Sequence, residues 1–399
     1  MAPLRVSPDP VQQLDLLYIH PSLGATDLNI PMGAIGLING IDCRKLGVMA
    51  WELTPSLIEQ AKVVAMGLHW YFPLAFVNDI ANAIKAINPA AKIIVGGLTA
   101  TIFARQLLQR YPVDYVILGD AEEVFAPLVE YLMNGTLPHS LSNVATKSAL
   151  PQHILPVSQK AYDTIDPITV DWFPTYKDHM FSVQRDFPGQ FHESKGVYPF
   201  IPVFRGCTRN CPACYANPAI QSRIFGRGLM VRSLEAVTGT LHYCESLAGI
   251  NTVHIIGDFF DILPHEYGEA ILRAPYSLNL TYDLFNIPSM ARFENMAECF
   301  DNVLFICHLF RDHGTIPCPA HRKKLRALFK NFAGGNCRFL LFADFRRINK
   351  ENSFLQETAQ HAHVSVRNSA YWYISAPLPD TSENIERQFE HFYRKTATG

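Results

Sequence analysis

Three cysteines, Cys207, Cys211 and Cys214, stand on one short run, Phe204-Arg205-Gly206-Cys207-Thr208-Arg209-Asn210-Cys211-Pro212-Ala213-Cys214-Tyr215. Gly206 before the first cysteine and Pro212 inside the run favour a loop over a helix, so three thiolates can converge on one metal centre. Thiolate ligands select iron–sulfur clusters or zinc. A structural zinc site ordinarily takes four protein ligands, often as two pairs. No second pair lies near, and the next cysteine, Cys244, falls inside an expected helix. A cubane cluster held by three thiolates instead leaves one iron open to a ligand. The rival reading is a ligand-binding protein whose triplet holds zinc.

The triplet directly follows a strand candidate at residues 198–204, which opens an alternating series. Further strands are expected at 252–256, 278–284, 302–307, 338–342 and 363–366, with helices at 233–247 and 322–332 between some of them. Roughly six βα units make a partial barrel, in which working residues sit at the C-terminal strand ends. An earlier series has strands expected at 14–20, 47–52, 62–68, 92–95 and 115–118 and helices at 77–87, 102–110 and 122–133. That alternation implies a doubly wound parallel sheet, whose ligand site lies at the carboxyl edge. Between the two series Pro138, Pro151, Pro156, Pro167, Pro174 and Pro188 break every periodic pattern. This stretch is expected to wrap the surface as a linker.

The bulk composition narrows the function. Hydrophobic residues at 48% and charged residues at 18% describe a compact globular protein. Thirty-four Lys and Arg against thirty-six Asp and Glu give no basic footprint for nucleic acid. The basic run at 321–326 reads as the solvated face of a helix. No apolar stretch approaches the ~20 residues that span a bilayer, and the first seventeen residues lack the pattern of a secretory signal. Nine cysteines, an odd number spread over 399 residues, do not make a disulfide framework, so a cytoplasmic protein is expected.

The run from Arg205 to Tyr215 resembles the CxxxCxxC signature of the radical S-adenosylmethionine superfamily. The resemblance implies a [4Fe-4S] cluster on Cys207, Cys211 and Cys214. Its open iron would chelate S-adenosylmethionine, and reductive cleavage would yield a 5′-deoxyadenosyl radical. An electron donor such as flavodoxin or ferredoxin is implied with it. The family usually has an aromatic residue before the third cysteine; here Ala213 stands there, and Tyr215 is the candidate to cover the cluster. The segment from Arg232 to Val237 resembles the family's entry to the first barrel helix. In Ile255-Ile256-Gly257-Asp258-Phe259-Phe260, Gly257 and Asp258 fall where relatives contact the amino group of S-adenosylmethionine. A carboxylate there also serves as a helix cap.

Residues 13–135 resemble the cobalamin-binding domain that precedes the barrel in one branch of that superfamily. The resemblance rests on Pro31-Met32-Gly33-Ala34, on Val95-Gly96-Gly97 and on the run Tyr115-Val116-Ile117-Leu118-Gly119-Asp120-Ala121-Glu122-Glu123. Gly96 and Gly97 would let the backbone approach a flat corrin. The DxHxxG signature is absent; Asp42-Cys43-Arg44-Lys45-Leu46-Gly47 stands near its place, without histidine. His69 falls at a strand end and is either a packed histidine or a ligand to cobalt.

The expected partition is residues 1–136 for the cobalamin-binding-like domain, 137–197 for the linker, 198–370 for the barrel and 371–399 for a C-terminal extension. Asp283, His308, Arg311, Asp344 and Arg346 fall at barrel strand ends and are candidates to line the active site. Cys307, His308, His313, Cys318 and His321 fit no zinc spacing well. The expected activity is methylation of an unactivated carbon of a small-molecule or natural-product substrate, with cobalamin as second cofactor. The alternative keeps the radical step for a rearrangement, cyclisation or oxidation, with cobalamin absent or a spectator.

Overall fold

The structure, a computed structural model, describes residues 13–21, 31–68, 74–135, 141–176, 199–209, 216–284, 290–308, 319–332, 335–343, 352–368, 385–387 and 389–390. The chain divides into two compact units. One comprises residues 1–179, 219–228 and 374–399, and the other comprises 180–218 and 229–373.

In the first unit, strands β1 (Leu14–His20), β2 (Lys45–Met49), β3 (Ala61–Gly67), β4 (Lys92–Gly96) and β5 (Tyr115–Ile117) alternate with helices. These are α1 (Met32–Asn39), α2 (Pro55–Gln60), α3 (Leu74–Ile87), α4 (Leu98–Ile102), α5 (Ala104–Arg110) and α6 (Phe125–Asn134). The sheet order is β2-β1-β3-β4-β5, with β6 (Val144–Ala145) added antiparallel beyond β5. Strand order reverses between β1 and β3, and such a switch point opens a ligand crevice at the carboxyl edge. Leu16, Leu17, Ile19, Val63, Val64, Ile93 and Val95 are fully buried. Burial on both faces explains why these strands read as continuous apolar runs rather than alternating ones.

Several elements depart from the sequence expectation. Strand β2 ends at Met49, and Ala50–Glu52 form a 3-10 turn because the Glu52 carboxylate accepts the Met49 N–H at 3.0 Å. The single helix expected at 102–110 is two short ones that meet at Phe103, whose ψ of 24° breaks the α geometry. The linker supplies β6 and α7 (Gln159–Asp163), with Ser158 capping α7. Its described part is pinned at several points. Asn143 Nδ2 donates to Leu155 O at 2.7 Å while its Oδ1 accepts the Leu155 N–H at 2.8 Å. Trp172 and Phe173 pack onto Gly47, where a Cβ would lie 2.7 and 2.6 Å from their rings.

In the second unit, β7 (Phe200–Pro202), β10 (Thr252–Ile256), β11 (Tyr276–Leu284), β12 (Phe300–His308), β13 (Cys337–Ala343) and β14 (Val364–Asn368) form one sheet. They are parallel and lie side by side in chain order, with no reversal. That is the succession of a partial (βα)6 barrel. Between them run α9 (Leu234–Ser246), α10 (Phe259–Ile262), α11 (His265–Ile271), α12 (Met290–Cys299), α13 (Pro319–Asn331) and α14 (Ser353–Ala359). Helix α9 begins as expected, with Ser233 Oγ accepting the Ala236 N–H. A separate two-stranded ribbon pairs β8 (Phe204–Arg205) antiparallel to β9 (Met230–Val231). Helix α8 (Pro218–Phe225) belongs for most of its length to the first unit.

Candidate functional site

The first cysteine of the triplet lies at the end of β8. Gly206 takes a φ of 87°, a left-handed turn that suits glycine, and Cys207 follows it. The Cys207 Sγ accepts the backbone N–H of Arg209 at 3.3 Å, the kind of contact that stabilises a thiolate ligand. Cys211, Cys214 and Tyr215 lie outside the described residues. The stem of the loop is clamped to the end of β10 in two ways. The Arg209 guanidinium pairs with the Asp261 carboxylate on α10. Gly257, at φ 84°, leaves room for the Phe204 ring, which a Cβ there would meet at 2.7 Å. Arg209 and Asp261 carried no spacing signal in the sequence, since their pairing joins residues far apart in the chain.

Asp258 is fully buried. Its Oδ1 accepts the Tyr282 hydroxyl at 2.8 Å and caps α10 through the Asp261 N–H at 3.1 Å. Tyr282 lies on the apolar face of β11 with Leu278, Leu280 and Leu284, all buried. Burial, and then the Asp258 carboxylate, push the Tyr282 hydroxyl far above the ordinary tyrosine range. The helix-cap alternative for Asp258 is therefore met in full by the geometry.

The other face of β10 and β11 carries polar side chains, continued at the start of β12. Register places Thr252, Asn279 and Asn302 side by side, joined by Asn302 Nδ2 to Asn279 Oδ1 at 2.7 Å and Asn279 Nδ2 to Thr252 Oγ1 at 3.3 Å. Nearer the carboxyl ends, His254 Nε2 lies 3.4 Å from an Asp283 carboxylate oxygen, and the Phe200 and His254 rings are 4.6 Å apart. Polar side chains on this part of the sheet suit a barrel lined for polar ligands. Cys307 sits on the apolar side, where burial raises its thiol to about 12. Among the described residues no group of three or more His, Cys, Asp or Glu is placed to hold a metal ion. Arg311, His313, Cys318, Asp344 and Arg346 lie outside the described residues.

In the first unit the carboxyl edge at the switch point carries His20 at the end of β1 and Leu68 after β3, while His69 lies outside the described residues. The two candidate glycines differ. A Cβ at Gly96 would make only an ordinary 3.8 Å contact with Ile117. Gly97, at φ 101° and ψ −179°, has a backbone that is essentially glycine-only, so this turn is built around it. The chain then enters α4, where Thr101 Oγ1 donates to Gly97 O at 3.0 Å and accepts the Gly119 N–H at 2.9 Å. Thr99 is 1% exposed, and its hydroxyl has no hydrogen-bond partner among the described residues. A glycine-only turn and an orphaned buried donor at a switch-point edge suit a large ligand with acceptor oxygens.

The acidic motif after β5 does structural work. Arg227 Nη2 donates to Asp120 Oδ1 at 2.9 Å and its Nε to Oδ2 at 2.5 Å, both side chains being nearly buried. Glu123 accepts from the Ser158 N–H and hydroxyl at 3.2 and 2.6 Å. Gly119, at φ 70°, leaves 2.6 Å between a built Cβ and Ile154. Asp120 thus anchors the stretch that ends α8, and Glu123 anchors the linker. Cys43, expected to be buried or packed on a helix, stands in the loop before β2 and is half-buried.

Residues 38–129 match the B12 binding domain family. Among curated proteins, none matches the sequence. Among solved structures, the fold is similar to that of the radical S-adenosylmethionine methyltransferase TsrM from Kitasatospora setae with cobalamin and a [4Fe-4S] cluster bound. That match has a TM-score of 0.53 at 12% identity, over 84% of this chain and 67% of that one. TsrM with tryptophan substrate and a S-adenosylmethionine analogue matches at 0.53 and 12%, over 82% and 67%. The cobalamin-dependent S-adenosylmethionine radical enzyme OxsB, with aqua-cobalamin and S-adenosylmethionine bound, matches at 0.56 and 13%, over 93% of this chain and 56% of that one. The chain therefore shares with these proteins the α/β fold of a cobalamin-binding-like sheet followed by a partial barrel.

Proposed function

We propose that this protein is a cobalamin-dependent radical S-adenosylmethionine enzyme that methylates an unactivated carbon of a small molecule. The observation that carries the reading is the cysteine run at the entry to a six-strand parallel sheet, in a chain whose other sheet matches a B12 binding domain. When bound, the cluster and S-adenosylmethionine supply the 5′-deoxyadenosyl radical and cobalamin supplies the methyl group.

The protein's own part is to bind, orient and exclude water. Cys207, Cys211 and Cys214 are the proposed cluster ligands, and Tyr215 is the proposed residue to cover the cluster. The Arg209–Asp261 pair and the Phe204–Gly257 contact keep the loop stem at the end of β10. Asp258 is the proposed carboxylate for the amino group of S-adenosylmethionine. Gly96, Gly97 and His69 are the residues proposed to meet the corrin. A reductant such as flavodoxin or ferredoxin delivers the electron. Among the described residues no helix is long and apolar enough to cross a membrane.

The test is anaerobic reconstitution with iron, sulfide and hydroxocobalamin. Wild-type protein should hold the cluster, retain about one corrinoid per chain and release 5′-deoxyadenosine from S-adenosylmethionine under reduction. Alanine at Cys207, Cys211 or Cys214 should abolish cluster and cleavage together, and a full cluster in the triple variant defeats the reading. Asp258→Ala should weaken S-adenosylmethionine binding at unchanged iron content; unchanged binding would leave Asp258 as cap and Tyr282 partner alone. Electron paramagnetic resonance of the Co(II) form should show no axial protein nitrogen, and one that vanishes in His69→Ala would make His69 the ligand. Cleavage without any corrinoid uptake would favour the non-methylating radical reaction.

A further inference from the structure

Thr99 is the one residue of α4 whose chemistry the fold leaves unused. The helix starts directly after the glycine-only turn at Gly97, and the Thr99 N–H is bound to Leu68 O, at the end of β3, at 3.0 Å. Its side chain therefore stands where the ends of β3 and β4 meet. Two residues on, Thr101 shows what a threonine in this helix does when it is structural: it bonds back to the carbonyl four residues earlier. The Thr99 hydroxyl makes no such bond and is cut off from solvent, with no hydrogen-bond partner among the described residues. A buried hydroxyl without a partner is costly in the ligand-free protein, and valine, of nearly the same shape, would avoid that cost.

We infer that Thr99 is a corrinoid-binding residue whose hydroxyl donates to an acceptor oxygen of the bound corrinoid. The inference rests on the cobalamin reading of this unit. Corrinoids offer two kinds of acceptor oxygen, the amide carbonyls around the ring and the phosphate of the nucleotide loop. Either is met by a single hydroxyl donor at the strand edge. The penalty of the orphaned group is carried by the empty protein and relieved when the ligand arrives, so Thr99 contributes to affinity and not to stability.

The experiment compares wild type, Thr99→Val and Thr99→Ser, each as the full chain with its cluster. Dissociation constants for hydroxocobalamin and for cobinamide, which lacks the nucleotide loop, are read by absorbance. Thermal midpoints are taken with and without corrinoid. Thr99→Val should weaken hydroxocobalamin binding about tenfold, the worth of one good hydrogen bond. Its corrinoid-free midpoint should equal or exceed that of wild type, and Thr99→Ser should bind as wild type does. Weakening for both ligands places the acceptor on the ring, and weakening for hydroxocobalamin alone places it on the nucleotide loop. Equal binding by wild type and Thr99→Val overturns the inference and leaves the cobalamin reading intact. So does a fall in corrinoid-free stability that matches the loss of binding, since the hydroxyl would then be structural. A wild-type chain that takes up neither corrinoid defeats both.

Discussion

Tyr282→Phe tests the buried polar pair beneath the barrel's second strand end. The substitution deletes one oxygen and leaves the ring contacts with Phe259 and Phe305 in place. It strips Asp258 Oδ1 of a donor at 2.8 Å, and it removes the acceptor that faces the Phe260 N–H at 3.4 Å. Both side chains are fully buried, so water cannot take over either role. A hydrogen bond to a charged group is worth about 1.5–3 kcal/mol, and the long Phe260 contact adds little. The expected loss is about 2–3 kcal/mol, or roughly 5–10 °C in the melting midpoint of a unit this size.

The pH dependence carries the sharper signature. The Tyr282 pKa is raised in the folded state, first by burial and then by the Asp258 charge and hydrogen bond. A raised acid favours the folded state fully below the unfolded tyrosine value of about 10, and that contribution is lost as pH rises above it. Phenylalanine has no such loss. The gap between wild type and variant should therefore be constant from pH 7 to about 9.5 and narrow above pH 10. Tyr18, Tyr176 and Tyr276 are raised too, but they are present in both proteins and cancel in the difference. Urea unfolding of the two proteins at a series of pH values reads this directly. A variant within about 0.5 kcal/mol of wild type, or a gap that stays constant to pH 11, would refute the argument.

Two further perturbations concern the first unit. Arg227→Met leaves the buried Asp120 carboxylate without its bidentate partner and should cost about 3–5 kcal/mol in urea unfolding, much of it recovered in Asp120→Leu/Arg227→Met. Additive losses in that cycle would show the pair to be uncoupled. At the C-terminal segment, Phe389 is 1% exposed against Phe103, while the Arg110–Glu386 and Arg110–Glu390 pairs are about two-fifths exposed. Phe389→Ala should accordingly cost about 3–5 kcal/mol and Glu390→Gln less than about 1 kcal/mol, and the reverse ranking in denaturant midpoints would sink the assignment.

What could be read from residues alone was local. The three-then-two spacing of Cys207, Cys211 and Cys214 is a fact of the chain, whereas the one strand expected at 198–204 is divided between β7 and the ribbon strand β8. Strand β10 occupies the expected 252–256 because an apolar run between breakers has few other ways to fold. The glycine of the Gly96-Gly97 turn that matters, Gly97, was visible as a residue type, although only its φ of 101° separates it from Gly96. Ser233 announced α9 in the same way, since a cap and its helix are neighbours in sequence. The elements that tertiary structure alone decided are pairings across long stretches of chain: Tyr282 with Asp258, Arg209 with Asp261, Arg227 with Asp120, and Trp172 and Phe173 on Gly47. None has a period or a motif, because each depends on which strand ends the fold brings together. Thr99 belongs with them for the opposite reason. A threonine looks the same in sequence whether its hydroxyl is paired or not, and the lack of a partner among the described residues becomes visible only in the folded chain.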